Sequence, residues 1–222
     1  MQRHFDEELQ QLKEKVLKMS SLVEESIATS VKALIDRDAP LAERVIKADN
    51  AIDTFEIEID ELSLRLLALY QPQAGDLRFI ASAMKINNDL ERIGDLAVNI
   101  AHRALDLMKV PPLKSLNDIL QMANASQSML KDSLNAFVNK DSRLAEDVCR
   151  RDDEVDNFNH QIFVKLLTDK LQNQGVVERA VDLILVAKNL ERIADHSTNI
   201  AEDVIYIVDG KTIKHHVLEP GS

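Results

Sequence analysis

Among the carboxylates that stand four residues apart in this chain, four pairs recur at matching places in its two halves: Asp49 and Asp53, Glu91 and Asp95, Asp152 and Asp156, Glu191 and Asp195. Residues four apart on a helix lie one turn above each other on one face, so each pair points its oxygens in one direction. Two such helices facing each other would bring four carboxylates to one point. An all-oxygen donor set of that kind suits Mg²⁺, Mn²⁺, Ca²⁺ or iron, and Zn²⁺ can also take it. Like charges at this spacing slightly destabilise a helix, so keeping them needs a cause. Ligation of a cation is one; pairing with Arg92 and Arg192 across helices, which would make the site structural, is another; a plain solvated face is the third.

The pairs belong to longer polar stripes. At 100° per residue Asn88, Glu91, Asp95, Asn99 and His102 fall within about 80° of one another. Glu191, Asp195, Asn199 and Glu202 make the same stripe 100 residues later. Asp49 and Asp53 continue through Glu56 and Asp60, and Asp152 and Asp156 continue to Asn159. Lys85, Arg92 and Arg103 collect at one edge of the first stripe, leaving its acidic edge unpaired by its own helix.

Behind the stripes is a repeat. Leu90-Glu91-Arg92-Ile93-Gly94-Asp95 through Asn99-Ile100-Ala101 returns as Leu190-Glu191-Arg192-Ile193-Ala194-Asp195 through Asn199-Ile200-Ala201. A fixed-period repeat signals one structural unit used twice. Upstream, Asp38, Leu41-Ala42-Glu43, Asp49, Asp53 and Phe55 meet Asp141, Leu144-Ala145-Glu146, Asp152, Asp156 and Phe158 at an offset of 103 residues. The three-residue change of offset falls in a loop, where length differences are tolerated.

Six long helices must carry these residues. Leu9, Leu12, Val16, Met19, Val23, Ile27 and Val31 step by three or four, predicting a helix from Phe5 to about Arg37. Asp38-Ala39-Pro40 breaks it, with Asp38 as N-cap of a second helix, Leu41 to about Tyr70. A third runs from near Asp76 to about Lys109, ahead of Pro111-Pro112. The pattern then repeats from Leu116 to Asn139, from Leu144 to about Gln172, and from after Gly175 to about Val208, with Asp209-Gly210 as the stop. The fold class is all-α, as two tandem three-helix bundles over residues 1–110 and 113–210, each large enough for a modest core, with a tail at 211–222.

Composition agrees. The chain is 45% apolar but only 4% aromatic, with five Gly and five Pro among 222 residues, too few for a turn-rich all-β protein. A net charge of −11 without a long basic run argues against nucleic acid as a partner. It suits cations or basic proteins instead. Lone Cys149 excludes an internal disulfide and reads as packing. His102, His160 and His196 read as helix-surface residues, and His215-His216 falls in the tail. No signal-like leader and no long apolar run is read, so a cytoplasmic location is expected. There is no P-loop, Gly-rich nucleotide motif or nucleophile elbow, and no enzyme is expected.

The doubled Leu-Glu-Arg-Ile-x-Asp-x-x-x-Asn-Ile-Ala, together with Leu69-Tyr70-Gln71-Pro72-Gln73-Ala74-Gly75-Asp76-Leu77-Arg78, resembles the PhoU family over essentially the whole chain. The resemblance implies antiparallel bundles related by internal pseudo-two-fold symmetry. It also implies multinuclear metal sites, with iron or zinc clusters, at Asp49, Asp53, Glu91 and Asp95 and at Asp152, Asp156, Glu191 and Asp195, which Asn99 and Asn199 in the next turn could join. The second half has Leu171-Gln172-Asn173-Gln174-Gly175 where the first has the Gln-Pro-Gln-Ala-Gly turn, so the two bundles need not serve one partner.

PhoU-like proteins are adaptors in bacterial phosphate sensing. The implied partners are the ATPase subunit of the phosphate ABC transporter and the phosphate-sensing histidine kinase, with the membrane reached only through them and a homodimer left open. The implied role is negative regulation of phosphate uptake and of the phosphate-starvation genes. Two other readings stand beside it. One is a helical-repeat spacer whose units merely stack. The other is a carboxylate-bridged metalloenzyme, against which stands the absence of any Glu-x-x-His.

Overall fold

The computed structural model describes residues 2–111, 116–168 and 174–213. They form six helices: α1 Gln2–Asp36, α2 Ala39–Tyr70, α3 Ala74–Met108, α4 Asn117–Asn139, α5 Ser142–Thr168 and α6 Gln174–Asp209. No strand occurs among them. The all-α, doubled three-helix architecture is therefore as expected. The Pro112 end of the inter-bundle linker, the residues from Leu171 to Asn173 and the His215-His216 tail lie outside the described residues.

The breaks between helices have matching chemistry in the two halves. Arg37 and Lys140 both take left-handed backbone, at φ 55° and 53°. The next residue's N–H donates back to Ala33 O in the first half and Ala136 O in the second, each at 3.0 Å, closing the helix ends. Asp38 then caps α2, accepting from Leu41 N at 3.1 Å, with Pro40 in the first turn. Asp141 does the same for α5, accepting from Arg143 N and Leu144 N at 3.1 Å. Between α2 and α3 the chain turns through left-handed Gln71 and Ala74, so α3 starts two residues before Asp76. Gly210, at φ 69°, ends α6, where its N–H reaches Tyr206 O.

Contacts place α1 against α2 and α3, and α4 against α5 and α6. The two bundles meet through α3 against α6 and α1 against α4. This makes a four-helix layer in the order α2, α3, α6, α5, covered on one side by α1 and α4. Because Lys85, Asp89 and Arg103 pair with Asp203, His196 and Asp182 in descending order, α3 and α6 run antiparallel. The interior is largely one continuous apolar cluster with residues from all six helices, so the halves share a core. Leu12, Val16, Met19, Val23 and Ile27 of α1 are fully buried in it, along the stripe their spacing marks.

Candidate functional site

The open side of the layer, away from α1 and α4, carries the carboxylates. Asp49, Glu91, Asp152 and Glu191 are half-buried, while Asp53, Asp95, Asp156 and Asp195 are exposed, the same alternation in both halves. In each expected quartet, carboxylates of the two helices stand close enough for their charges to act on one another. The Asp49 carboxyl is held above its usual range by burial, then by the charges of Asp53 and Asp95. Burial likewise raises Glu91, with Asp95, Glu56 and Asp53 adding to it and Arg92 opposing. In the second half, burial and then Asp156 raise Asp152, against a hydrogen bond donated by Thr198 Oγ1 at 3.3 Å. Although Asp195 is exposed as a residue, partial covering of its carboxyl pushes it up to about 6, with Glu191, Asp152 and Asp156 adding to the shift. Carboxylates from two helices thus repel each other at each site.

The two quartets differ in compensation. Lys188 donates to Glu191 Oε1 at 2.7 Å, whereas Asn88 stands at the equivalent place in the first half. Neither Arg92 nor Arg192 makes an ion pair among the described residues, so the cross-helix arginine arrangement is not the one adopted. Lys85 and Arg103 do not serve the quartets either. They bridge the bundles, Lys85 to buried Asp203 at 3.0 Å and Arg103 to Asp182 at 3.2 Å. Asn99 is exposed beyond the first quartet, while Asn199 turns to Asp89 at 3.4 Å. As the side chains stand, no group of three or more His, Cys, Asp or Glu among the described residues converges closely enough to hold a metal ion.

Gly94 sets how closely α2 and α3 approach at the first quartet. A Cβ there would lie 3.1 Å from Ile52 Cδ1 and 3.5 Å from Asp49 Oδ1. The second half has Ala194 and Val155 at the matching positions, a larger residue on one helix and a smaller one on the other.

Sequence reasoning overlooked one feature of the centre. His196 is not a surface residue: its Nδ1 lies 2.8 Å from Asp89 Oδ1, with both side chains largely buried between α3 and α6. The signal was a break in the repeat, since Asp89 and His196 correspond to Asn189 and Leu96. Cys149 behaves as packing. Burial, then Glu202, Asp152 and Glu146, push its thiol up to about 12, which removes it as a nucleophile.

No described helix is long and apolar enough to cross a membrane. The family model for the PhoU domain matches twice, over residues 16–104 and 119–204. The "Phosphate-specific transport system accessory protein PhoU homolog" of Aquifex aeolicus is 44% identical over 96% of this chain and 97% of its own length. The crystal structure of PhoU from Pseudomonas aeruginosa superposes with a TM-score of 0.90 at 38% identity, covering 93% of this chain and 100% of that one. That of "the phosphate transport system regulatory protein PhoU from Streptococcus pneumoniae" gives 0.88 at 31% identity, covering 95% and 99%. With both halves matched and relatives of this identity along nearly its full length, the chain belongs to the PhoU family.

Proposed function

We propose that this protein is a negative regulator of phosphate uptake and of the phosphate-starvation genes. It acts in the cytoplasm as an adaptor between the ATPase subunit of the phosphate ABC transporter and the phosphate-sensing histidine kinase, and catalyses nothing itself. The observation that supports this best is the full-length match to phosphate-transport accessory proteins. Two repeated acidic faces on one open side of the layer are consistent with a protein that works by being read by partners.

The quartets Asp49, Asp53, Glu91, Asp95 and Asp152, Asp156, Glu191, Asp195 are the residues that would hold metal ions, iron or zinc among them. Their mutual repulsion and oxygen-only chemistry fit a cation. A bound cation would supply the positive charge that the first quartet lacks. Ligation requires these side chains to converge more closely than they stand. Burial and neighbouring like charge hold the Asp49, Glu91 and Asp152 carboxyls above their usual range.

The test is deletion of the gene in its own host, with alkaline phosphatase assayed in high phosphate. Derepressed phosphatase is the expected result; phosphatase that stays repressed contradicts the proposal. The spacer reading predicts that D95A/D195A protein restores full repression, whereas the proposal predicts that it does not.

A further inference from the structure

We propose that the outward face of α2 is a docking surface for a cationic amphipathic helix of a partner protein. The inference rests on the adaptor reading and specifies the chemistry of one partner.

Between Lys47 and Arg65, α2 carries Asp49, Asp53, Glu56, Glu58, Asp60 and Glu61 and no basic residue. At 100° per residue Asp53, Ile57, Glu61, Leu64 and Ala68 share a stripe about 80° wide. Ile57 and Leu64 are 58% and 57% exposed on it. They stand seven residues apart, two turns along the helix, the spacing at which a bound helix places successive anchors. Two cations beside it are already engaged: Lys15 pairs with Glu58, and Arg65 with Glu8 at 3.4 Å. Glu56 and Glu61, which lie outside the quartet, have no ion pair among the described residues. The face therefore offers two apolar anchors fringed by uncompensated carboxylates.

That charge pattern selects the occupant. A second copy of this chain docked through the same face would set acid against acid, and an anionic lipid surface would meet the same repulsion. A helix with apolar residues at i, i+4 and i+7 and Lys or Arg on its flanks satisfies both features. The equivalent stripe on α5 differs. There Asp156 is followed by His160 and Val164, with Phe163 beside them, and no carboxylate lies between Asp156 and Lys165. Phe163 and Val164 are exposed, so that face is apolar without the acidic fringe.

The experiment uses the full chain and a fluorescent amphipathic peptide of leucine and lysine, followed by anisotropy at low and moderate salt. Three variants are compared: I57S/L64S and E61K on α2, and F163S/V164S as the α5 control, each checked by circular dichroism for intact helices. The expected result is salt-sensitive binding weakened about tenfold by each α2 variant and unchanged in the control. Failure of the wild type to bind, unchanged binding in the α2 variants, or equal weakening in the control overturns the proposal. Its failure is separable from that of the adaptor reading. A host that represses phosphatase normally with I57S/L64S, but loses repression on deletion, keeps the adaptor and discards this surface.

Discussion

Replacing Gly94 by Ala probes whether the spacing of α2 and α3 at the first carboxylate quartet is set by a paired choice of side chains. The new Cβ would lie 3.1 Å from Ile52 Cδ1 and 3.4 Å from Ile52 Cγ2, a few tenths of an ångström inside ordinary contact. Helix propensity favours Ala by about 1 kcal/mol, while overpacking a tight interior contact costs about 1–3 kcal/mol. We therefore expect G94A to destabilise by about 1 kcal/mol, the net of those two. Ile52 is 1% exposed, and I52V alone should cost about 1 kcal/mol through the small cavity it leaves. Together the two changes recreate the Val155 and Ala194 arrangement of the second half, with Cδ1 removed from the clash. The double variant should then lie within about 0.5 kcal/mol of wild type, a coupling of about 2 kcal/mol. Urea midpoints for the four proteins, with unchanged m values, give the cycle directly. Additive effects, leaving the double variant as the least stable of the four, would refute the reasoning.

Further consequences follow from the charges. Asp195 sits at about 6 in the fold against 3.8 outside it. A raised carboxyl contributes stability that is fully present below pH 4 and is lost as pH rises through 6. The group is exposed, so screening reduces the effect to about 1–2 kcal/mol. In chelator, D195N should therefore raise the melting temperature at pH 7 and change it little near pH 4; a lower melting temperature at pH 7 contradicts the repulsion described. Lys85 meets Asp203 where the carboxylate is only 3% exposed, so K85A should destabilise by about 2 kcal/mol in urea unfolding. No loss would mean that the bridge between the bundles is incidental. Divalent metal added to chelator-treated protein should raise its melting temperature, and the rise should disappear in the Glu91/Asp95/Glu191/Asp195 alanine variant.

Local chemistry was easy to read from the chain and long-range pairing was not. Asp38, two residues before Pro40, announces a helix start and caps as expected, and its repeat counterpart Asp141 caps α5 in the same way. The carboxylate quartets were visible because four-residue spacing survives on any helix and recurred in both halves. By contrast, the partners of Lys85, Arg103 and His196 lie 118, 79 and 107 residues away. No helical periodicity encodes such separations; only the packing of α3 on α6 decides them. The exchange of Ile52 and Gly94 for Val155 and Ala194 was on view in the repeat, but its meaning needed the 3.1 Å approach. Lys85, Arg92 and Arg103 were legible as an edge that leaves the carboxylates unpaired, but that Lys85 and Arg103 belong to the seam between bundles was not.

The central claim is that the paired quartets are cation sites. Elemental analysis of protein purified without chelator or metal-affinity tag, beside the Glu91/Asp95/Glu191/Asp195 alanine variant, tests it most directly. The account predicts more than one tightly held metal ion per chain in the wild type and none in the variant. Equal metal in both proteins, or none in either, would contradict it.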